Sequence, residues 1–341
     1  MSRIGWLDSA RGLGIILVVI GHALGGMIDS PLGGGQDTFR RAFFSIYSFH
    51  MPLFFLLSGL LVTHRLERGA GSFVRALLPT IVWPYFLWSV VQYSMIFALG
   101  NLVNSPAQSY WPAVLALPWN TVSQFWFLYA LFWLHILAMV MIPRIGREGL
   151  VLVALALKAV VLVIALPVVI KLVCNHMLFY AIGVWLAPRG IEALLLRCRI
   201  VVRAVAIPLL GILMIAATLA AAPQCGADIP LLHASSPELA NLAWRFPATA
   251  AAVFGVAGVL GIASLPRLAE ARWLSALGRL TMPIFVLHVM FIAGARIFLT
   301  RLGLVSDVWV LLGMIVASGL VGPLLVERVT RRLGINRWLG F

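Results

Sequence analysis

Ten runs of almost uninterrupted apolar residues decide what this chain can fold into, each near the length that crosses about 30 Å of hydrocarbon. They cover residues 12–28, 43–63, 80–100, 124–142, 150–168, 172–187, 204–222, 245–265, 281–299 and 307–326. A bilayer offers no water to the backbone, so a spanning segment must satisfy its own N–H and C=O groups, and runs of this kind do so as helices. Only 11% of the residues are charged and 62% are hydrophobic, against about 25% charged in a soluble domain. The expected fold class is therefore an all-α integral membrane protein, a bundle of about ten transmembrane helices. Little more than Pro167 to Lys171 separates the fifth and sixth runs, so a re-entrant or tilted pair, with nine or eleven crossings, stays open.

The basic residues orient the bundle. Eighteen arginines, from Arg3 and Arg11 to Arg337, fall on one side of the ten runs. Arg40, Arg41, Lys171, Arg245 and Arg301 fall on the other, while Lys158 and Arg296 lie inside spans. Positive charge collects on the cytoplasmic side, which places both termini there and requires an even number of crossings. The formal charge of +14 then reads as an orientation signal and not as a nucleic-acid surface. Between Asn101 and Ser123 there is no charged residue, and the Trp, Tyr and Pro of this segment suit an aromatic belt at the outer interface. No loop is long enough for a separate soluble domain, so residues 1–341 read as a single multi-pass domain in contact with membrane lipid. Cys174, Cys198 and Cys225 show no paired or metal-type spacing. The first run has a basic flank but no convincing cleavage site, and it is read as the first helix and not as a signal peptide.

Ionisable residues at membrane depth are costly and mark candidate sites. In W6-L-D-S-A-R-G-L-G-I-I-L-V-V-I-G-H22, Arg11 opens the first span and His22 sits about halfway along it. Eleven residues are about three turns and about 16 Å of rise, so the two share a helix face. Asp8 falls close to the same face. A snorkelling flank arginine and a packing histidine would give the same spacing.

The second span reads Y47-S-F-H50-M-P-L-F-F-L-L-S-G59. His50 can meet a hydroxylic substrate, relay a proton, or simply bond a carbonyl freed by Pro52. Ser58-Gly59 reads as a helix-packing contact and not a nucleophile. The connection from His64 to Arg75 suits a phosphate-bearing ligand or, equally, lipid headgroups. Arg75, immediately ahead of the third span, is the strongest candidate in it. Trp126 opens the fourth span at the outer interface, and His135 lies deeper, where it can line the cavity or, more in keeping with its place, satisfy a core contact. His176 and the loop residue His233 have no nameable partner. His288 lies about a third of the way along the ninth span. No two of these histidines stand at metal-ligand spacing, so no metal site is expected.

Taken together, L7-D-S-A-R-G-L-G with G21-H22, F49-H-M-P-L-F-F-L-L-S-G59, F125-W-F-L128 and L287-H288 resemble the family 3 membrane acyltransferases, bacterial sugar and polysaccharide O-acyltransferases. The F-H-M-P-L-F-F run is closest to their fucose O-acetylase-like branch. The most specific piece is an arginine followed after ten residues by a histidine, matched by Arg11 and His22. The resemblance implies a bacterial inner-membrane protein that takes an acyl group from cytosolic acyl-CoA as co-substrate, with no permanently bound cofactor. It implies transfer to a hydroxyl of a carbohydrate or a lipid-linked glycan. Many relatives carry an extra extracytoplasmic domain that is not found here, so their acceptors are not carried over.

Acyl transfer to an alcohol needs a base for the hydroxyl proton and a stabiliser for the developing oxyanion. His22 suits the first task, or becomes acylated itself. Arg11 can hold the donor's phosphates or carbonyl. Arg75 and Asp8 fall on the donor side, while His50, Trp126 and His288 are expected to line the cavity or meet the acceptor. A proton-coupled transporter would use the same histidines as a proton path, but inverted repeats and paired broken helices are not evident.

Overall fold

The computed structural model describes residues 5–28, 37–164, 166–191, 200–221 and 242–341. His233, Cys198 and Cys225 lie outside the described residues. Among those described there are helices and turns and no strand. Among the described residues, seven helical stretches are long and apolar enough to cross a membrane: Gly5–Ile28, Asp37–Leu66, Ala70–Leu102, Ser123–Val161, Val168–Arg189, Thr281–Arg301 and Val308–Arg332. Two further apolar stretches, Val205–Leu219 and Pro247–Ala263, are shorter.

In chain order the helices are α1 (Gly5–Ile28), α2 (Asp37–Leu66), α3 (Ala70–Leu77), α4 (Trp83–Leu99), α5 (Trp111–Leu115), α6 (Trp126–Val163) and α7 (Val168–Leu186). They continue as α8 (Ile200–Ala221), α9 (Leu242–Ala263), α10 (Pro266–Ala269), α11 (Arg272–Arg279), α12 (Thr281–Arg301) and α13 (Val308–Arg332). The chain divides into two compact units. One comprises Met1–Gly14, Phe44–Ala76 and Ala130–Gly278; the other comprises Ile15–Phe43, Leu77–Tyr129 and Arg279–Phe341.

In the first unit, glycine sets how closely helices approach. A Cβ on Gly59 of α2 would overlap the Tyr180 carbonyl of α7, and one on Gly183 of α7 would overlap the Leu56 carbonyl of α2. The two backbones therefore cross in contact, the packing that small residues permit between membrane helices. Residues 5–14 of α1 are held in the same way. Gly5, Ser9 and Gly12 form one small-residue face, on which Ser9 Oγ donates to the Leu268 carbonyl at 2.7 Å and lies 3.3 Å from Ser275 Oγ. A Cβ on Gly12 would meet Leu274, and one on Gly278 would meet the Asp8 backbone.

The fifth and sixth apolar runs resolve into an antiparallel hairpin. Gly146 (φ 71°, ψ −178°) breaks α6 three residues after Pro143. The left-handed φ suits glycine, which carries no Cβ. From this break the second leg of α6 pairs with α7. Arg189 Nη2 donates to Glu148 Oε1 at 2.8 Å, and Lys158 Nζ donates to Asn175 Oδ1 further along.

The helix ahead of α4 begins about ten residues before the apolar run does, at Ala70. Pro79 is absorbed by a π turn, Leu78–Val82, in which the Trp83 N–H bonds the Leu78 carbonyl. Proline lacks the N–H for a normal i−4 bond, and widening the turn keeps the helix continuous. Glycines again allow close approach, since Gly319 of α13 meets Ile292 and Val19, and Gly322 meets Phe291.

The charge-free segment 101–123 does more than cap the end of α4. It runs back along that helix: Tyr93 Oη donates to the Ser109 carbonyl at 2.7 Å, and Tyr85 Oη donates to the Leu117 carbonyl at 2.6 Å. From Tyr93 to Tyr85 is about 12 Å of helix. The chain then returns so that Gln124 and Gln92 exchange two amide hydrogen bonds, at 2.8 and 3.1 Å. Irregular backbone at such depth needs protein partners for its polar groups, and the tyrosine hydroxyls of α4 supply them.

Candidate functional site

In the first unit, α1 presents Arg11 with its guanidinium 3.9 Å from the Asp8 carboxylate. The Gly5, Ser9 and Gly12 contacts with α10 and α11 fix this turn, so the orientation of Arg11 is set by backbone packing. Arg65, at the end of α2, is close enough for its charge to act on Arg11. Two guanidinium groups with one carboxylate leave net positive charge beside α1, the chemistry that takes phosphate. Arg75 is exposed, and its Nε donates to the Gly71 carbonyl at 3.2 Å within α3.

His50 is buried in the same unit, edge-on to Tyr47, with ring centroids 4.7 Å apart. Its Nδ1 donates to the Ile46 carbonyl at 2.8 Å. That carbonyl lies one turn back and is not the one that Pro52 frees, which belongs to Ser48. The same bond recurs at His135 with the Leu131 carbonyl (2.8 Å) and at His176 with the Leu172 carbonyl (3.1 Å). A ring nitrogen against a carbonyl oxygen must carry the proton, so each of these rings keeps its Nε2 lone pair for other partners. His135 is packed between Phe73 and Tyr180, as expected of a core contact.

In the second unit, His22 of α1 is half-buried and meets His288 of α12. Their ring centroids are 4.8 Å apart and their planes 65° apart. His288 is fully buried. Its Nδ1 donates to the carbonyls of Ile284 at 3.0 Å and Phe285 at 2.8 Å. Nε2 is thereby an acceptor, and it is one of four buried side-chain atoms without a hydrogen-bond partner among the described residues; the others are Trp6 Nε1, Ser89 Oγ and Tyr180 Oη. An unsatisfied buried acceptor costs about 1–3 kcal/mol, so its retention beside a second imidazole needs a reason. Phe285 packs against Phe125, Phe127 and His288 and closes this region. Trp126 is half-buried at the first turn of α6 in the same unit.

Residues 4–328 match the acyltransferase 3 family, described as an acyltransferase domain. The chain belongs to that family. Arg11 and His22 lie on one uninterrupted helix, Gly5–Ile28. The chain is also 33% identical over 133 residues to nodulation protein NolL of Mesorhizobium japonicum. That alignment covers 37% of this chain and 32% of NolL, so the chain spans about a third of that relative's length. No solved structure matches it.

Several polar groups of this acyltransferase 3 chain were assigned no role from the sequence. Arg296 is buried, with its Nε about 4.0 Å from where a Gly26 side chain would begin, one turn beyond His22. Ser89, Gln92 and Gln124 are buried as well. A signal for the first of these existed, since Arg296 lies inside an apolar run and two turns beyond His288 on the same face. For the serine and the glutamines the signal was weaker, because neutral polar residues barely interrupt an apolar run.

Proposed function

We propose that this protein is a membrane-embedded O-acyltransferase that moves an acyl group, acetyl in the simplest case, from cytosolic acyl-CoA to a hydroxyl of a carbohydrate or lipid-linked glycan. Supporting this reading are the family membership and one observation above the others: His22 against a buried His288 whose Nε2 has no partner. In the proposed reaction His22 takes the acceptor's hydroxyl proton as the oxygen attacks the thioester carbonyl. The carbon–sulfur bond then breaks, and the proton passes to the leaving CoA thiolate. His288, held by its Nδ1 bonds, accepts from the N–H of His22 and stabilises the imidazolium, the part a carboxylate plays in a serine–histidine–aspartate triad. Arg11, steadied by Asp8, binds the donor's phosphates, with Arg75 contributing from α3. His50 and Trp126 meet the acceptor or line its path.

The proposed topology has ten crossings in one multi-pass domain of the bacterial inner membrane, with both termini cytoplasmic. Separating α6 at Gly146 and including α8 and α9 supports that number. A histidine that takes the substrate proton should be indispensable while leaving assembly intact. Purified protein incubated with radiolabelled acetyl-CoA and an acceptor glycan should release CoA and label the glycan. His22→Ala should reduce this by about 10²–10⁴-fold, with insertion and donor binding retained. Full transfer by a well-folded His22→Ala protein would overturn the reading. Label trapped on the protein without acceptor, and lost in His22→Ala, would assign an acyl-histidine intermediate in place of direct transfer.

A further inference from the structure

A cleft of about 640 Å³ opens in the second unit, between the last turns of α4 and the returning segment 108–112. Its aromatic wall is Phe97, Tyr110 and Trp111. Tyr110 lies 5.5 Å from Phe97 and 5.2 Å from Trp111, measured between ring centroids, and the Tyr110 and Trp111 planes are 79° apart. Trp111 is 68% exposed and Phe97 49%, so each keeps an open ring face. The polar wall is Gln108 with a fixed hydroxyl pair. Ser94 Oγ donates to the Val90 carbonyl at 2.8 Å, and so the 2.8 Å contact between Ser94 Oγ and Tyr110 Oη is donated by the tyrosine. The Tyr110 oxygen is left presenting acceptor lone pairs to the cleft, while the Gln108 amide can both donate and accept.

We infer that this cleft is a binding subsite for an uncharged sugar ring of the acceptor glycan. A pyranose presents an apolar C–H face and a rim of hydroxyls. The electron-rich face of an aromatic ring takes the first, and neutral amide and hydroxyl groups take the second. No residue between Asn101 and Ser123 is charged, and none lining the cleft is, so a uronate or phosphate would be desolvated there without a counter-charge. An acyl chain would offer nothing to the Gln108 amide or to the acceptor lone pairs of the Tyr110 oxygen, which disfavours lipid as the occupant. The segment that walls the cleft is also tied to α1: Asn104 Nδ2 donates to the Gly26 carbonyl at 3.1 Å, four residues beyond His22. Occupancy of the cleft is thus connected through a short piece of chain to the helix that carries the proposed base. The acyltransferase reading supplies the use of the bound sugar; the binding itself is independent of it.

The test is isothermal titration of the full chain in nanodiscs with maltotetraose, cellotetraose and chitotetraose, against tetragalacturonic acid as the charged comparison. At least one neutral tetrasaccharide should bind saturably, and tetragalacturonic acid should bind at least tenfold more weakly. Trp111→Ala should weaken the neutral ligand at least tenfold, Trp111→Phe should restore most of the affinity, and Gln108→Ala should cost about threefold or more. His22→Ala should bind the sugar as the parent does, which separates failure of this inference from failure of the catalytic reading. Absence of saturable binding by all three neutral sugars overturns the inference. So does equal binding by Trp111→Ala, or displacement of the sugar by added phosphatidylglycerol, which would make the cleft a lipid site.

Discussion

At the residue scale, what each histidine can do depends on which ring nitrogen holds the proton. His288 gives its Nδ1 proton to two backbone carbonyls, so its remaining function must use Nε2 as an acceptor. This leads to a graded expectation. His288→Gln offers an amide oxygen at similar reach and should retain more transfer than His288→Leu, which offers none. The leucine variant should lose about 10²-fold or more, within the range for disturbing acid–base catalysis. Single-turnover rates with acetyl-CoA and acceptor measure this, and equal rates for the two variants would make His288 a packing residue. Arg11 and His22 were legible in the sequence because ionisable residues are scarce in a chain this apolar. His288 was legible as a candidate, but its pairing with His22 was not, since that depends on a tautomer fixed by carbonyls one turn back and on a neighbour 266 residues away. Arg296 was visible as a charge within a span, but nothing in the linear order shows that it sits beside Gly26.

At the scale of elements, helix existence followed directly from the apolar runs, and glycine decided how the helices meet. The reading of Ser58-Gly59 as a packing contact agrees with the crossing of α2 and α7, where Gly59 and Gly183 each face a backbone carbonyl of the other helix. Backbone cannot step aside as a rotamer can. Gly59→Ala should therefore destabilise the protein by about 1–3 kcal/mol, the usual range for overpacking, and Gly59→Leu should leave little monodisperse protein after detergent extraction. Thermal melts of the solubilised variants check this, and an unchanged midpoint in Gly59→Ala would show that the crossing is looser. Other elements were not legible. The amphipathic α11 is too short to register against spans several times its length, yet it holds the turn carrying Asp8 and Arg11. The return of segment 101–123 along α4 depends on tyrosine hydroxyls meeting particular carbonyls, and residue type alone reads there as an interfacial aromatic belt.

At the scale of the whole molecule, the question is how often the chain crosses the membrane. Among the described residues seven stretches are long and apolar enough as they stand, but Ser123–Val161 is not one rod. A helix with Pro143, Arg144, Gly146 and Arg147 at its centre would carry two guanidinium groups to membrane depth, whereas a break at Gly146 leaves Arg144 exposed and Arg147 half-buried beside a turn. The ion pair from Glu148 to Arg189 then places the start of the second leg of α6 beside the end of α7. Those two positions belong on one face of the membrane, with Pro167 on the opposite face. Combined with the eighteen arginines on one side, this predicts a cytoplasmic break at Gly146 and a cytoplasmic Arg189. In a background lacking the native cysteines, Pro167→Cys should react with a membrane-impermeant maleimide in intact cells. Arg189→Cys should react only after permeabilisation. A reporter fused at the C-terminus should signal inside, and one inserted near Ala107 outside. An unreactive Pro167→Cys with an inside C-terminus would mean that the hairpin does not cross, leaving eight spans. An outside C-terminus would break the even count altogether and displace Arg11 from the side on which cytosolic acyl-CoA arrives.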